Sequence, residues 1–451
     1  MAELHELTAL EQGELVQRGE VSPVELAEHY LARADDVGAF LTRTPELALE
    51  RARSLEPGVE SPLHGVPTAI KDLNLTAGVR TTFGSAAFAD YVPDVSDQVT
   101  LSIEAAGMVS LGKTSTPEFG SPCYTEPEGY PAAVTPWDRT RMAGGSSGGA
   151  GSAVAAGLVP VAQGSDGGGS IRGPSSFCHL FGIKPSRGRV ANSFGKEDRE
   201  ILYTSGPIAR SVEDAAALLD ILSGFDVGRP HWAPAPQQHY RQSSGTAPQR
   251  LKIRFATRAP IGETDPEIAA AVERAARVLS GLGHDVEEAT LPECTLEEFL
   301  PVWQDLVASV PLILWSRAQP ITRWLVEAGK RLAPGLAQER RRALEARFLA
   351  VFDQADVWLT PTTPVTAPAV GAFAHRPPEE AFTDAARIGA FTAAFNITGQ
   401  PAASVPLGLT RAGLPMGLQV AGRMFADDVV LAVSRQLEVA MPWRERVAQI
   451  D

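Results

Sequence analysis

MAGGSSGGAGSAVAAGLVPVAQGSDGGGSIRGP, residues Met142 to Pro174, decides how the rest of this 451-residue chain is read. It holds two glycine-rich turns, Gly144-Gly145-Ser146-Ser147-Gly148-Gly149 and Gly167-Gly168-Gly169-Ser170, separated by a small-residue helix and an apolar, strand-like run. Glycine runs permit positive φ and let a ligand approach the backbone closely. Successive N–H groups in such a turn can point at one anion. A nest that ends on a serine suits acyl transfer, because its donors can hold the oxyanion formed when the serine oxygen attacks a carbonyl. Ser170 is therefore read as a nucleophile, with the N–H groups of Gly167, Gly168 and Gly169 around its oxyanion. A flexible linker offers the same glycines, but it would not carry Val159, Val161 and Ile171 beside them.

A serine nucleophile needs a base, and the usual partner is a histidine backed by a carboxylate. None of the eight histidines has that setting: His179 follows Cys178 in an apolar stretch, and His231, His239 and His375 lie among prolines. Lysine is the better candidate. The 40 basic residues are 34 arginines and only six lysines, and one lysine, Lys71, ends the apolar run Val66 to Ile70. Strand alternation places Lys71 and Asp72 on opposite faces, so the adjacent carboxylate does not hold the ammonium charged. Burial then lowers the amine toward the range in which it acts as a neutral base.

These residues resemble the amidase signature family of serine amidohydrolases, from about Leu7 to about Arg446. The motifs that carry the likeness are GVPTAIKDL around Lys71, AGGSSGGAGSAVAAG around Ser146, GSDGGGSIRGPSS around Ser170, and FNITGQPAASVPLG with GLPMGLQVAGR toward the C-terminus. The resemblance implies a triad of Ser170 as nucleophile, Ser146 as bridging serine with a cis peptide bond, and Lys71 as base. It also implies that the loop 113–138 lines an acyl pocket, with Gly120 and Ser146 as substrate-binding positions; a glycine at 120 is expected to leave room. Ser147, Asp166 and Arg172 are expected to hold the two turns together, since an aspartate beside a nest opposes an oxyanion unless it is partnered.

Composition narrows the classes. An apolar content of 44% supports a large core, and a net charge of −14 argues against nucleic acid or an anionic membrane as partner. Cys123, Cys178 and Cys294 have neither pairing parity nor metal-ligand spacing, so a reducing cytoplasm is expected, with no metal and no cofactor. Neither a signal-peptide pattern nor an apolar run of membrane-spanning length is present in the sequence. The expected partner is a small-molecule amide; a homodimer is left open.

Strands alternate with helices, which with the resemblance places the chain in the α/β class, as an amidase signature fold with a central mixed, largely parallel β-sheet covered on both faces by α-helices. One domain over 1–451 is expected: a helical segment 1–60, a catalytic core 61–224, a surface linker 225–250 rich in proline, and a second half 251–451. Within that half, 296–352 is read as a helical pocket or lid segment, in which the spacing of Trp303, Trp315 and Trp324 fits core packing as well as a pocket wall. Strands at Asp356–Thr360 and Ala402–Pro406 are expected to return to the central sheet.

Three activities compete. The first is a stand-alone amidase, with the GGGS sequence before the nucleophile resembling cyclic-dimer hydrolases of nylon oligomers and broad bacterial amidases. The second is the glutaminase component of a glutamyl-tRNA amidotransferase, against which stands Gly173, where that component usually carries glutamine. The third is an α/β-hydrolase esterase, since Gly145 to Gly149 matches G-x-S-x-G with Ser147 as nucleophile, but Pro136 to Arg141 is not the apolar strand that such an elbow follows. No Lys-Ser or Lys-Thr closes a phosphate loop, and neither turn has the dinucleotide-binding register.

Overall fold

A computed structural model describes residues 3–56, 60–191, 202–224, 232–310 and 315–443. The strands are β1 (Phe40–Arg43), β2 (Pro67–Lys71), β3 (Val109–Thr114), β4 (Val134–Thr135), β5 (Asp138–Met142), β6 (Val161–Asp166), β7 (Phe181–Lys184), β8 (Thr204–Ala209), β9 (Lys252–Phe255), β10 (Asp285–Glu288), β11 (Val357–Pro361), β12 (Ala402–Leu409) and β13 (Pro415–Gly422). Eight of them form the main sheet in the order β10-β9-β11-β13-β12-β7-β8-β6, and β1-β3-β2 form a second. The sequences of β12 and β13, AASVPLGL and PMGLQVAG, lack the polar alternation of a half-exposed strand, and both lie buried at the centre of the large sheet.

Helices cover both faces. Leu359 and Val420 pack into the core formed with helices Val212–Leu222, Pro266–Gly281 and Asp427–Ala440. Their neighbours Trp358 and Ala421 point the other way, into the cluster with Trp303, Leu325, Phe348 and Phe395, as strand alternation requires. The mixed sheet is as expected, but its pairing is not mainly parallel. Within the main sheet β9 pairs parallel with β10 and β11, whereas β11–β13, β13–β12, β12–β7, β7–β8 and β8–β6 are antiparallel. Helix-strand alternation in sequence overstates the parallel share because it does not reveal which strands become neighbours.

The seam between the two sheets places the chemistry. β2 lies beside β6 without a backbone ladder; the Thr68 hydroxyl donates to Val161 O at 3.0 Å and the Lys71 N–H donates to Gln163 Oε1 at 2.9 Å. Side chains thus replace the ladder and leave the end of β2 open toward the glycine turns.

Two local expectations are corrected by the structure. The first 60 residues are not all helical, since β1 pairs antiparallel with β3. Residues 225–231 of the expected linker lie outside the described residues, and part of the remainder is packed: helix Tyr240–Ser244 buries Tyr240, and its first two N–H groups donate to Asp220 at 2.6 and 3.0 Å. Residues 138–142 form a strand in a small polar hairpin with β4, not the apolar strand that a nucleophile elbow follows. No helix among the described residues is long and apolar enough to cross a membrane.

Because β12 and β13 occupy the middle of the sheet, deletion of residues 402–451 removes two central strands and should abolish folding. Solubility and thermal unfolding of the truncated chain test this; a soluble, active truncation would contradict the placement.

Candidate active site

Two turns and one strand end meet at the seam. β2 delivers Lys71, β6 ends at Asp166 and leads into Gly167–Ser170, and the turn after β5 delivers Ser146 and Ser147. The Gly145–Ser146 peptide is cis. A side chain at 145 would place Cβ 2.6 Å from the Tyr124 nitrogen, so only glycine allows this approach. The turns are stapled by the Ser147 N–H, which donates to Ser170 O at 3.1 Å. Ser146 and Ser170 are 3% and 6% exposed, and Ser170 lines a cavity together with Gly145.

Lys71 is wholly buried, and its amine lies 2.7 Å from Ser146 Oγ, 2.8 Å from Ser147 Oγ and 3.3 Å from Ser165 O. Counting protons assigns these contacts. Ser147 donates its only hydroxyl proton to Ser165 O at 3.0 Å and accepts the Ser165 N–H at 3.1 Å, so toward Lys71 it can only accept. Ser165 O is likewise an acceptor. A neutral amine has two N–H groups and one lone pair, and the two acceptors consume the N–H groups. Its lone pair is left facing the Ser146 hydroxyl. Loss of hydration pushes the Lys71 amine well below its ordinary range, with the Asp166 charge opposing that shift. Asp72 faces away, accepting from Thr82 N and Oγ1 and pairing with Lys113 at 3.3 Å.

Asp166 organises the second turn. Its carboxylate accepts from Gly169 N at 2.7 Å, Ile171 N at 3.1 Å, both Arg172 Nε and Nη2 at 2.9 Å, and Asn396 Nδ2 at 2.9 Å. Burial alone would raise this carboxyl, but Arg172, Lys184 and Asn396 together hold it well below the usual carboxylate range. Arg172 also donates to Gln419 Oε1 at 2.6 Å and Asn396 Oδ1 at 2.5 Å. The two C-terminal motifs of the sequence thus supply Asn396 and Gln419, roles that those motifs do not reveal on their own.

Here the expected oxyanion set needs correction. The Gly169 N–H is committed to Asp166, whereas no acceptor among the described residues takes the N–H groups of Gly167, Gly168 or Ser170. The donors available to an oxyanion are those three. Ser147 is excluded as a nucleophile by its burial and by the bonds just described.

An Amidase family profile matches residues 25–309 and 316–431. The chain belongs to the amidase family. It is an amide hydrolase of the amidase signature type, similar to a putative amidase of Synechocystis, 35% identical over 96% of this chain and 88% of that one. Similarity to the 6-aminohexanoate-cyclic-dimer hydrolase of Paenarthrobacter ureafaciens is 40% identity over 62% of this chain and 59% of that one. A component of the glutamyl-tRNA(Gln) amidotransferase of Thermus thermophilus is 36% identical over 77% of this chain and 80% of its own length. Among solved structures, a 6-aminohexanoate cyclic dimer hydrolase complexed with substrate superposes with a TM-score of 0.91 at 32% identity, covering 99% of both chains.

The cavity of this amidase reaches Ser170 between the loop at Ser121–Cys123 and two helical segments that contribute Phe299, Trp303, Phe382 and Ile388. None of its lining residues among those described carries a charge. Trp303 lies in the wall and also in the core, its ring edge packed over Gly167 and Gly168; Trp324 supports Phe382 from behind, with ring centroids 5.8 Å apart. Cys123 and Cys294 line the cavity as thiols that burial pushes up to about 12, so neither is a thiolate near neutrality. Gly120 does not leave room: its φ is +68°, and a Cβ there would meet Leu73 Cδ1 at 2.7 Å and Ser146 Oγ at 3.2 Å. Its glycine keeps the Ser146 hydroxyl clear.

Removing one partner of the buried Asp166–Arg172 pair strands a charge. Arg172→Met should cost about 3–5 kcal/mol in urea denaturation and eliminate turnover, whereas stability equal to the parent would contradict the role given to the pair.

Proposed function

We propose that this chain hydrolyses an uncharged carboxylic amide to its acid and ammonia or an amine, through an acyl-enzyme on Ser170. The observation that carries the reading is the buried Lys71 amine, whose bonding to Ser147 and Ser165 leaves its lone pair to Ser146. Lys71 takes the Ser146 proton as Ser146 takes that of Ser170. The Ser170 oxygen attacks the amide carbonyl, and the N–H groups of Gly167, Gly168 and Ser170 hold the oxyanion. Reversal of the relay protonates the leaving nitrogen, which breaks the C–N bond. Water, deprotonated along the same route, then releases the acid.

The uncharged lining supports a neutral substrate. Free glutamine carries an ammonium and a carboxylate, both costly to bury without partners, which weighs against a glutaminase role despite the similarity to part of an amidotransferase. Similarity to cyclic-dimer hydrolases favours including neutral cyclic diamides beside linear and aryl amides in a substrate screen. The three free thiols suit a reducing compartment, and we place the enzyme in the cytoplasm.

Treatment with an activated fluorophosphonate, followed by peptide mapping, should label Ser170 at a rate that rises with pH as Lys71 loses its proton. In Lys71→Ala both labelling and kcat should fall by about 10²–10⁴. Labelling at another serine, or undiminished turnover in Lys71→Ala, would refute the assignment.

A further inference from the structure

The peptide unit joining Gly168 to Gly169 is held at both ends. Its carbonyl oxygen accepts the Thr392 hydroxyl at 2.7 Å, and its N–H donates to Asp166 Oδ1 at 2.7 Å. Since C=O and N–H of a trans peptide point in opposite directions from one rigid plane, fixing both removes the freedom of that plane to rotate. Thr392 also lies within 3.2 Å of Gly389 O, but a hydroxyl has one proton, and the shorter contact is to Gly168. The backbone of Thr392 is itself anchored, its carbonyl accepting Arg172 Nη1 at 3.0 Å. Gly169 has φ +126°, and a Cβ there would lie 2.2 Å from Thr392 Oγ1, so the hydroxyl rests directly on the turn.

We infer that Thr392 is a positioning residue for the oxyanion nest: its hydroxyl keeps the Gly168 carbonyl turned out of the ring of donors formed by Gly167, Gly168 and Ser170. Without that bond the Gly168–Gly169 plane is held at its N–H end alone. Rotation would carry a carbonyl dipole toward the oxyanion, an acceptor where donors are needed. Thr392 touches neither the proton relay nor Lys71, so its loss should slow the step in which negative charge develops and leave the base unchanged. The inference rests on the proposed role of Ser170.

Thr392→Val keeps the shape and deletes the hydroxyl; Thr392→Ser keeps the hydroxyl. For each, the rate of Ser170 phosphonylation, kcat, KM and the pH dependence are measured. In Thr392→Val, phosphonylation and kcat should fall about 10- to 100-fold, somewhat less than loss of a direct oxyanion donor. KM and the pH of half-maximal rate should not move, and Thr392→Ser should recover most of the loss. Should the valine variant not fold, Thr392→Ser against Thr392→Ala isolates the hydroxyl at nearly constant size. Equal phosphonylation rates in the hydroxyl-bearing and hydroxyl-free variants would overturn the inference, as would a shifted pH profile. No labelling of Ser170 in the parent protein would overturn the underlying reading, and this one with it.

Discussion

An amine removed from water and surrounded by three oxygens sets the terms for everything else in this protein. Lys71 lies in the seam between β2 and β6, where hydration is lost and the protonated form is costly. The opposing influence is Asp166, whose negative charge favours an ammonium. Arg172 answers that charge with a two-point contact at 2.9 Å, so one buried ion pair both shapes the nest and limits the pull on the base. The large sheet then serves, in functional terms, to bring Gln419 on β13, and Asn396 on the helix Ala393–Thr398 that leads into β12, to Arg172.

Much of this is legible in the primary structure, and the reason is local. Glycine runs, a serine within or closing each, and a rare lysine ending an apolar run are constraints imposed on a few consecutive residues. What sequence hides is the choice of partner between distant segments. Gly169 looks equivalent to Gly167 and Gly168, yet its N–H goes to Asp166 because that carboxylate lies back along the turn. Gly120 suggests space, but the space is taken by Leu73 and the Ser146 hydroxyl. Tyr240 sits among prolines and glutamines that resemble a solvated linker, and its burial depends on helices more than one hundred residues apart in sequence, Val212–Leu222 and Asp427–Ala440. Strand direction is hidden for the same reason.

The cavity combines the two halves of the chain. Its floor is the glycine turns, while its walls come from helices Leu296–Ala308 and Pro378–Ala386 and the turn that follows. Those helices share an aromatic core with Trp358 and Phe395 of the sheet side, so pocket shape and fold stability draw on the same side chains. Substitutions that resize the pocket will therefore be felt in packing too.

Everything proposed for Ser146 and Ser170 depends on the protonation state of Lys71, which can be read directly. With only six lysines in the chain, a titration of lysine-labelled protein by ¹³Cε and ¹⁵Nζ NMR is tractable, with Lys71→Arg and Lys184→Arg identifying two of the most deeply buried signals. Lys184, lowered by burial to about 7, supplies an internal comparison. The predicted result is a Lys71 signal characteristic of a neutral amine at neutral pH, far below the ordinary titration range near 10.5. A Lys71 signal that stays protonated until that range would contradict it.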